Sequence, residues 1–255
     1  MAKSRAVKTT RRVGAASSIQ SVERATEILN FFTVDRPQLS LPEITARLGL
    51  SKATAHRYVT VLRKTNLLRW DTATGVYTLG PQVLTLSAAA RAGLPIVTVA
   101  GPFMEELVRK VNETTVLSVW DGEAPVVVRA DDNAARVHRI SVRAGARLST
   151  VDSAQGRVFC AFLTPKEVPG LEGLLGGSET LRRDIEWTRE HGVAFNTPEL
   201  TGIRSIAAPV MDGGQIAAVL AVVGTVTSIP AERDSAMVRE LVDMASRLSS
   251  EWGEA

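Results

Sequence analysis

Between residues 51 and 70 the chain carries five Lys and Arg and no Asp or Glu. A face built only for solubility mixes both signs, so an unmixed one points to a polyanion. Wound as a helix from Lys52, these residues separate at 3.6-residue spacing. Ala55, Val59 and Leu62 fall on one side with Tyr58 at its edge, and Lys52, Ala53, His56, Arg57, Thr60, Arg63 and Lys64 fall on the other. The major groove of DNA admits one such helix, whose first turns read base edges while flanking cations neutralise phosphates. Lys52, Ala53, His56 and Arg57 are placed for base edges, Arg57 as a bidentate donor to guanine and Ala53 against a thymine methyl. Ser51, Thr54, Arg63, Lys64 and, beyond the helix, Arg69 are placed for phosphates, and Thr60 completes the outer face. Two plainer alternatives stand beside this one: His56 as an exposed imidazole without a role, and the whole module as a protein-docking surface.

The elements that must hold this helix are legible on either side. Ser40-Leu41-Pro42-Glu43 is a capping box, so a short helix starts at Leu41, with Ile44 and Leu48 inward. Gly49 is suited to end it in a left-handed conformation, and Ser51 to cap the next helix, 52–65. Two short helices joined by Gly49-Leu50-Ser51 form a helix-turn-helix. Before them, Val22, Ala25, Leu29 and Phe32 predict a helix over 21–34 with Ser21 as its N-cap. After them, runs at 67–70 and 76–79 flank Asp71-Thr72-Ala73-Thr74-Gly75, a hairpin that serves as the wing.

Gly80-Pro81 opens a further helix to Arg91, which Gly93 and Pro95 close. Beyond it a helix is expected over 96–111, strands over 115–120, 125–130 and 137–142, and helices over 154–163 and 179–191. Strands over 205–210 and 216–223 flank Asp212-Gly213-Gly214, and a last helix covers 230–252. Short strands joined by hairpins with helices around them imply an antiparallel sheet rather than a doubly wound parallel one. The fold class is therefore α+β: a mainly α winged helix-turn-helix over 19–80, a linker helix over 81–94, and a helix-covered antiparallel sheet domain over 95–255. Residues 1–18, basic and rich in small side chains, read as a disordered arm.

Charge divides the chain in the same way. Residues 1–70 hold 13 Lys and Arg against four acids, a balance of +9, and the remainder holds 17 against 23, a balance of −6. A basic first quarter on an acidic body reads as a polyanion-binding module attached to something else. No apolar run approaches the roughly 20 residues of a membrane span, and none follows the N-terminal cations as a secretory signal requires. With a lone Cys160 unable to form an intramolecular disulfide, a reducing cytoplasm is the expected compartment.

Leu41 through Arg57, read as Leu-Pro-Glu-Ile-Thr-Ala-Arg-Leu-Gly-Leu-Ser-Lys-Ala-Thr-Ala-His-Arg, resembles the DNA-binding motif of IclR-type transcription regulators. Ser153-Ala154-Gln155-Gly156-Arg157 with Ala161-Phe162-Leu163 is similar to that family's small-residue loop and following helix. Gly192-Val193-Ala194, Glu199 and Gly202-Ile203-Arg204-Ser205-Ile206-Ala207-Ala208-Pro209-Val210 resemble its second signature. The resemblance spans residues 19–252. It implies a homodimer or homotetramer that binds operator double-stranded DNA, with a GAF- and PAS-related C-terminal domain that binds a small organic effector. Carried over position by position, the effector site implied is Ala154, Gln155, Gly156, Asn196, Ser205, Ala221 and Val223, with Leu148 a weaker addition. The family often has Cys where Ser205 stands, hydroxyl residues at Ala221 and Val223 in members binding small oxo-acids, and an aspartate-like position at Asn196. Fewer polar partners for a carboxylate suggest a larger metabolite, or an aromatic or apolar acid. Ala221 and Val223 would equally serve as plain sheet core. Of the two regulatory senses, repressor is preferred over activator.

An enzyme would need material that is missing here. His56, His138 and His191 lack metal-ligand spacing. Cys160 falls on the apolar side of a helix, Asp131-Asp132 reads as a solvated turn, and no Gly-rich phosphate loop is present. No cofactor and no catalytic residue are expected. The remaining alternative is an architectural DNA-binding protein without an effector.

Overall fold

The computed structural model describes residues 14–33, 36–133, 140–196 and 202–254. The chain divides into two compact units, Met1–Ala90 and Arg91–Ala255. In the first, α1 (Gly14–Asn30), α2 (Leu41–Leu48) and α3 (Lys52–Lys64) precede a hairpin of β1 (Leu68–Asp71) and β2 (Val76–Leu79), after which α4 (Pro81–Ala92) begins. Local chemistry accounts for each boundary. Ser40 accepts from the Glu43 N–H while the Glu43 carboxylate accepts from the Ser40 N–H at 2.8 Å, closing the capping box of α2. Gly49 stands at φ 63°, a conformation that costs a side-chain-bearing residue far more, and lets the chain turn within three residues. Ser51 accepts from the Thr54 N–H at 3.3 Å and starts α3. Ile28, Ile44, Leu48, Ala55, Val59 and Leu62 close one core between the three helices, which Leu68 and Tyr77 extend to the wing.

The first helix departs from expectation. It runs from Gly14 to Asn30 rather than over 21–34, so Ser21 lies inside it and is not its N-cap, and residues 14–18 are helical rather than part of a disordered arm. Ala15 and Ala16 favour helix without any apolar face to advertise it, so periodicity alone misses the first turns. Residues 1–13 of the expected arm lie outside the described residues, as does Val34. Phe31 and Phe32 close the helix with tighter turns onto the Ile28 and Leu29 carbonyls.

The second unit comprises α5 (Pro95–Val111), β3 (Thr114–Trp120), β4 (Pro125–Asp131), α6 (Ala154–Phe162), α7 (Leu171–Gly177), α8 (Glu179–His191), β5 (Ala194–Phe195), β6 (Ile203–Asp212), β7 (Gln215–Thr225) and α9 (Ala236–Glu254). The sheet has the order β4-β3-β7-β6-β5, antiparallel at every described pairing. Leu220 and Val222 of β7, with Leu117 and Ile206, pack with residues of α5 and α9. Val219, Ala221 and Val223 point the other way, into a cluster with Ala154, Val158 and Phe159 of α6. Burial on both faces explains why 216–223 reads as a continuous apolar run instead of alternating. Outside the sheet, the Arg247 guanidinium grips Glu106 at 2.9 and 3.1 Å, joining α9 to α5 and holding the Glu106 carboxyl down at about 2.

Four expectations change here. Residues 137–139 of the strand expected over 137–142 lie outside the described residues, and 140–142 form no strand; Ile140 and Val142 instead pack on the cluster beneath α6. Asp131 ends β4 rather than sitting in a solvated turn, its carboxylate taken by the Arg129 Nε–H at 2.9–3.0 Å. The last helix begins at Ala236, not 230, because residues 230–235 make turns before it. The short α7 was not expected: seven residues are too few for a periodic signal.

Candidate functional site

The outer face of α3 is built as a row. Ser51, Lys52, Ala53, His56, Arg57, Arg63 and Lys64 are exposed, while Ala55, Val59 and Leu62 are buried beneath them. Thr54 is half-buried, its hydroxyl 2.9 Å from that of Ser51. The Thr60 hydroxyl donates to the His56 carbonyl at 2.7 Å, which ties it to its own helix. Val61, 58% exposed, is an apolar member of this surface that charge patterning could not reveal. Past the helix, Thr60, Arg63, Lys64, Arg69 and Trp70 line one groove between α3 and the wing. The wing holds its shape through the Trp70 and Tyr77 rings, 4.5 Å apart, and through Asp71, which accepts from the Thr74 hydroxyl and the Ala73 N–H. A rigid helix with cations at both ends, and a cationic groove beside it, can follow a phosphate backbone while its first turns meet base edges.

The second constellation lies on the sheet face beneath α6. Ala154, Ala221 and Val223 share one buried cluster, and Leu148 packs against it. Ser205 stands directly opposite Val223. Asn196 is bound to the same strand: its side-chain amide donates to the Ile203 carbonyl at 2.8 Å, and its side-chain oxygen accepts from the Ser205 N–H at 2.8 Å. Gln155 and Gly156 are buried in the first turn of α6, where Ser153 accepts from the Gly156 N–H at 2.9 Å. Of the eight positions that resemblance singles out, Ala154, Ala221 and Val223 share one buried cluster with Leu148 packed on it, Ser205 and Asn196 join them through β6, and Gln155 and Gly156 are buried in the adjoining turn of α6. Their spread over more than 70 residues of sequence is closed by the pairing of β6 with β7 and by the packing of α6.

Residues 88–250 match the family described as bacterial transcriptional regulator IclR C-terminal, and residues 21–72 match the IclR helix-turn-helix domain. The chain belongs to the IclR family of transcription regulators. The glycerol operon regulatory protein of Streptomyces griseus is 31% identical to it over 259 residues, covering 93% of this chain and 98% of that protein. The HTH-type transcriptional regulator XynR of Escherichia coli is 29% identical over 238 residues, with 89% and 94% covered. Among solved structures, an IclR-type regulator from Silicibacter shares the fold at TM-score 0.80 and 22% identity, covering 92% of this chain and 97% of that one. An IclR homolog from Microbacterium hydrocarbonoxydans in complex with 4-hydroxybenzoate does so at 0.72 and 22%, with 92% and 100% covered. This IclR-family protein is a DNA-binding transcription regulator and not an enzyme, as its named relatives are.

Cys160 is buried, and burial pushes its thiol up to about 11, so it carries no thiolate at neutral pH. His56 lies on α3, His191 stacks on Trp187 at 4.4 Å, and His138 lies outside the described residues. Among the described residues no three His, Cys, Asp or Glu gather as a metal site, and no single helix is long and apolar enough to cross a membrane. Arg157 is a positioning residue that sequence reading treated only as part of a motif. Its guanidinium donates to the Val151 carbonyl at 2.8 Å, the Phe195 carbonyl at 2.7 Å and Asp184 at 3.2 Å, tying the small-residue loop to β5 and α8.

Proposed function

We propose that this regulator binds operator DNA through α3 and responds to a small organic effector held beneath α6. The observation that carries the DNA half is the acid-free outer face of α3, with Lys52, Ala53, His56 and Arg57 exposed over its first turns. The convergence of Ala154, Ser205, Ala221 and Val223 on one buried face supports the effector half, as does the 4-hydroxybenzoate bound by the Microbacterium homolog. The mostly apolar character of that face favours an aromatic or otherwise apolar-bodied metabolite over a small oxo-acid. A homo-oligomer fits α4, which buries none of its residues and leaves Leu84 75% and Leu86 52% exposed. Repression requires only that the operator be filled, and it is the regulatory sense we carry forward, in the cytoplasm where the operator lies.

Two experiments test the two halves. Arg57→Ala is expected to weaken operator binding by about 1–3 kcal/mol and to relax preference at a single base pair, with non-specific DNA bound as before. Equal losses on specific and non-specific DNA would move Arg57 from base reading to phosphate contact. For the effector, thermal shift of the full chain against small aromatic and aliphatic acids should find one that stabilises by about 2.7 kcal/mol at a hundred times its Kd. A chain that no such compound shifts would favour the architectural reading.

A further inference from the structure

One polar atom on the sheet face beneath α6 is used by nothing in the described structure. Ser118 of β3 has no exposure to solvent, and its hydroxyl has no hydrogen-bond partner. It lies directly opposite Val127 on β4 and Val219 on β7, and Val116, two residues earlier, lies opposite Ala221. All four of those residues belong to the apolar cluster beneath α6, so alternation along β3 places Ser118 on that same face. The same cluster is rich in small side chains: Ala154, Ala194, Ala207 and Ala221 each contribute a single carbon to it. An unpaired buried hydroxyl is costly where an alanine is not, so a partner from outside the described fold would give this serine a use.

We infer that Ser118 is a specificity-determining residue of the effector site, pairing with a neutral oxygen, hydroxyl or carbonyl, on a small molecule whose remainder is apolar. The inference rests on the effector reading above and names the chemistry it takes. A serine hydroxyl donates and accepts but carries no charge, and Val116, Val127 and Val219 beside it offer an apolar body only dispersion contacts. Arg157, a cation on the neighbouring helix, already serves the Val151 and Phe195 carbonyls and Asp184.

The test uses the full chain, wild type and Ser118→Ala, with two isosteric probe pairs: 4-hydroxybenzoate with 4-methylbenzoate, and 3-hydroxybutanoate with 3-methylbutanoate. Wild type should bind the hydroxylated member of at least one pair more tightly by calorimetry. Ser118→Ala should weaken that member roughly five- to tenfold, leave its methyl partner within about twofold, and so erase the preference. Without any probe, Ser118→Ala should melt within about 1 °C of wild type or higher, because it removes an unsatisfied group. A probe-free melting temperature more than about 3 °C lower would mean that the hydroxyl is satisfied by the fold, and would overturn the inference. Equal affinities in wild type and variant would overturn Ser118 and leave the effector reading standing. A wild type that binds none of the four would overturn the effector reading for this class of ligand, and Ser118 with it.

Discussion

Replacing Arg63, Lys64 and Arg69 together by alanine is expected to lower operator affinity on the order of a hundredfold at physiological salt. Each phosphate neutralised contributes roughly 0.9 to the slope of log K against log salt, so three lost contacts flatten that slope by about 2.7. The loss should be nearly uniform across sequences, because phosphates carry no base information. All three side chains are exposed, and they flank a groove instead of filling a core, so the melting temperature should stay within about 2 °C of wild type. Fluorescence anisotropy on operator and scrambled duplexes at several salt concentrations measures both quantities. An unchanged slope would remove these residues from the phosphate path. Arg57→Ala provides the contrast, since a lost base contact changes discrimination more than slope.

Gly156→Ala is expected to damage the second unit more than any other single-methyl change near the effector face. A Cβ at Gly156 would stand 2.3 Å from the Thr150 carbonyl oxygen and 2.4 Å from that of Ser149. Both obstacles are backbone, and Ser153 and Arg157 clamp the same segment, so it has little room to give. Overpacking of this kind costs about 1–3 kcal/mol, which for a unit of this size lowers the melting temperature by roughly 3–10 °C. Any thermal shift by an effector should weaken with it, because the loop forms one wall of the proposed site. Gly173→Ala is the control: nothing lies within 4 Å of its Cβ, and it sits inside α7. That change should be neutral or slightly stabilising. If the two variants melt together, the loop is softer than its contacts imply.

The helix-turn-helix was legible because its determinants are local. Capping by Ser40 and Ser51, the left-handed Gly49 and the inward spacing of Ala55, Val59 and Leu62 all act within a few residues, and each stands in the structure where its chemistry places it. The limits of α1 were misread for the complementary reason, since Ala15 and Ala16 promote helix without an apolar face to show it. The strands of the body were legible as runs, but nothing in a run says which strand lies beside it.

That choice belongs to long-range pairing, and the effector face depends on it. Placing β7 between β3 and β6 sets Ser118 beside Val219, Ala221 beside Val116, and Ser205 beside Val223, although these partners lie far apart or on unrelated segments in the chain. Asn196 enters from the sequence as an effector position that the family resemblance implies, and the fold engages its amide with the backbone of β6. Ser118 reads as one small polar residue in a strand, and only the tertiary structure makes its hydroxyl both buried and unpartnered. Helical periodicity and capping are properties of neighbours along the chain, so the face proposed to meet DNA follows from the sequence. The residues of the proposed effector face are neighbours across a sheet, and their identity depends on strand order and register, which local propensity does not encode.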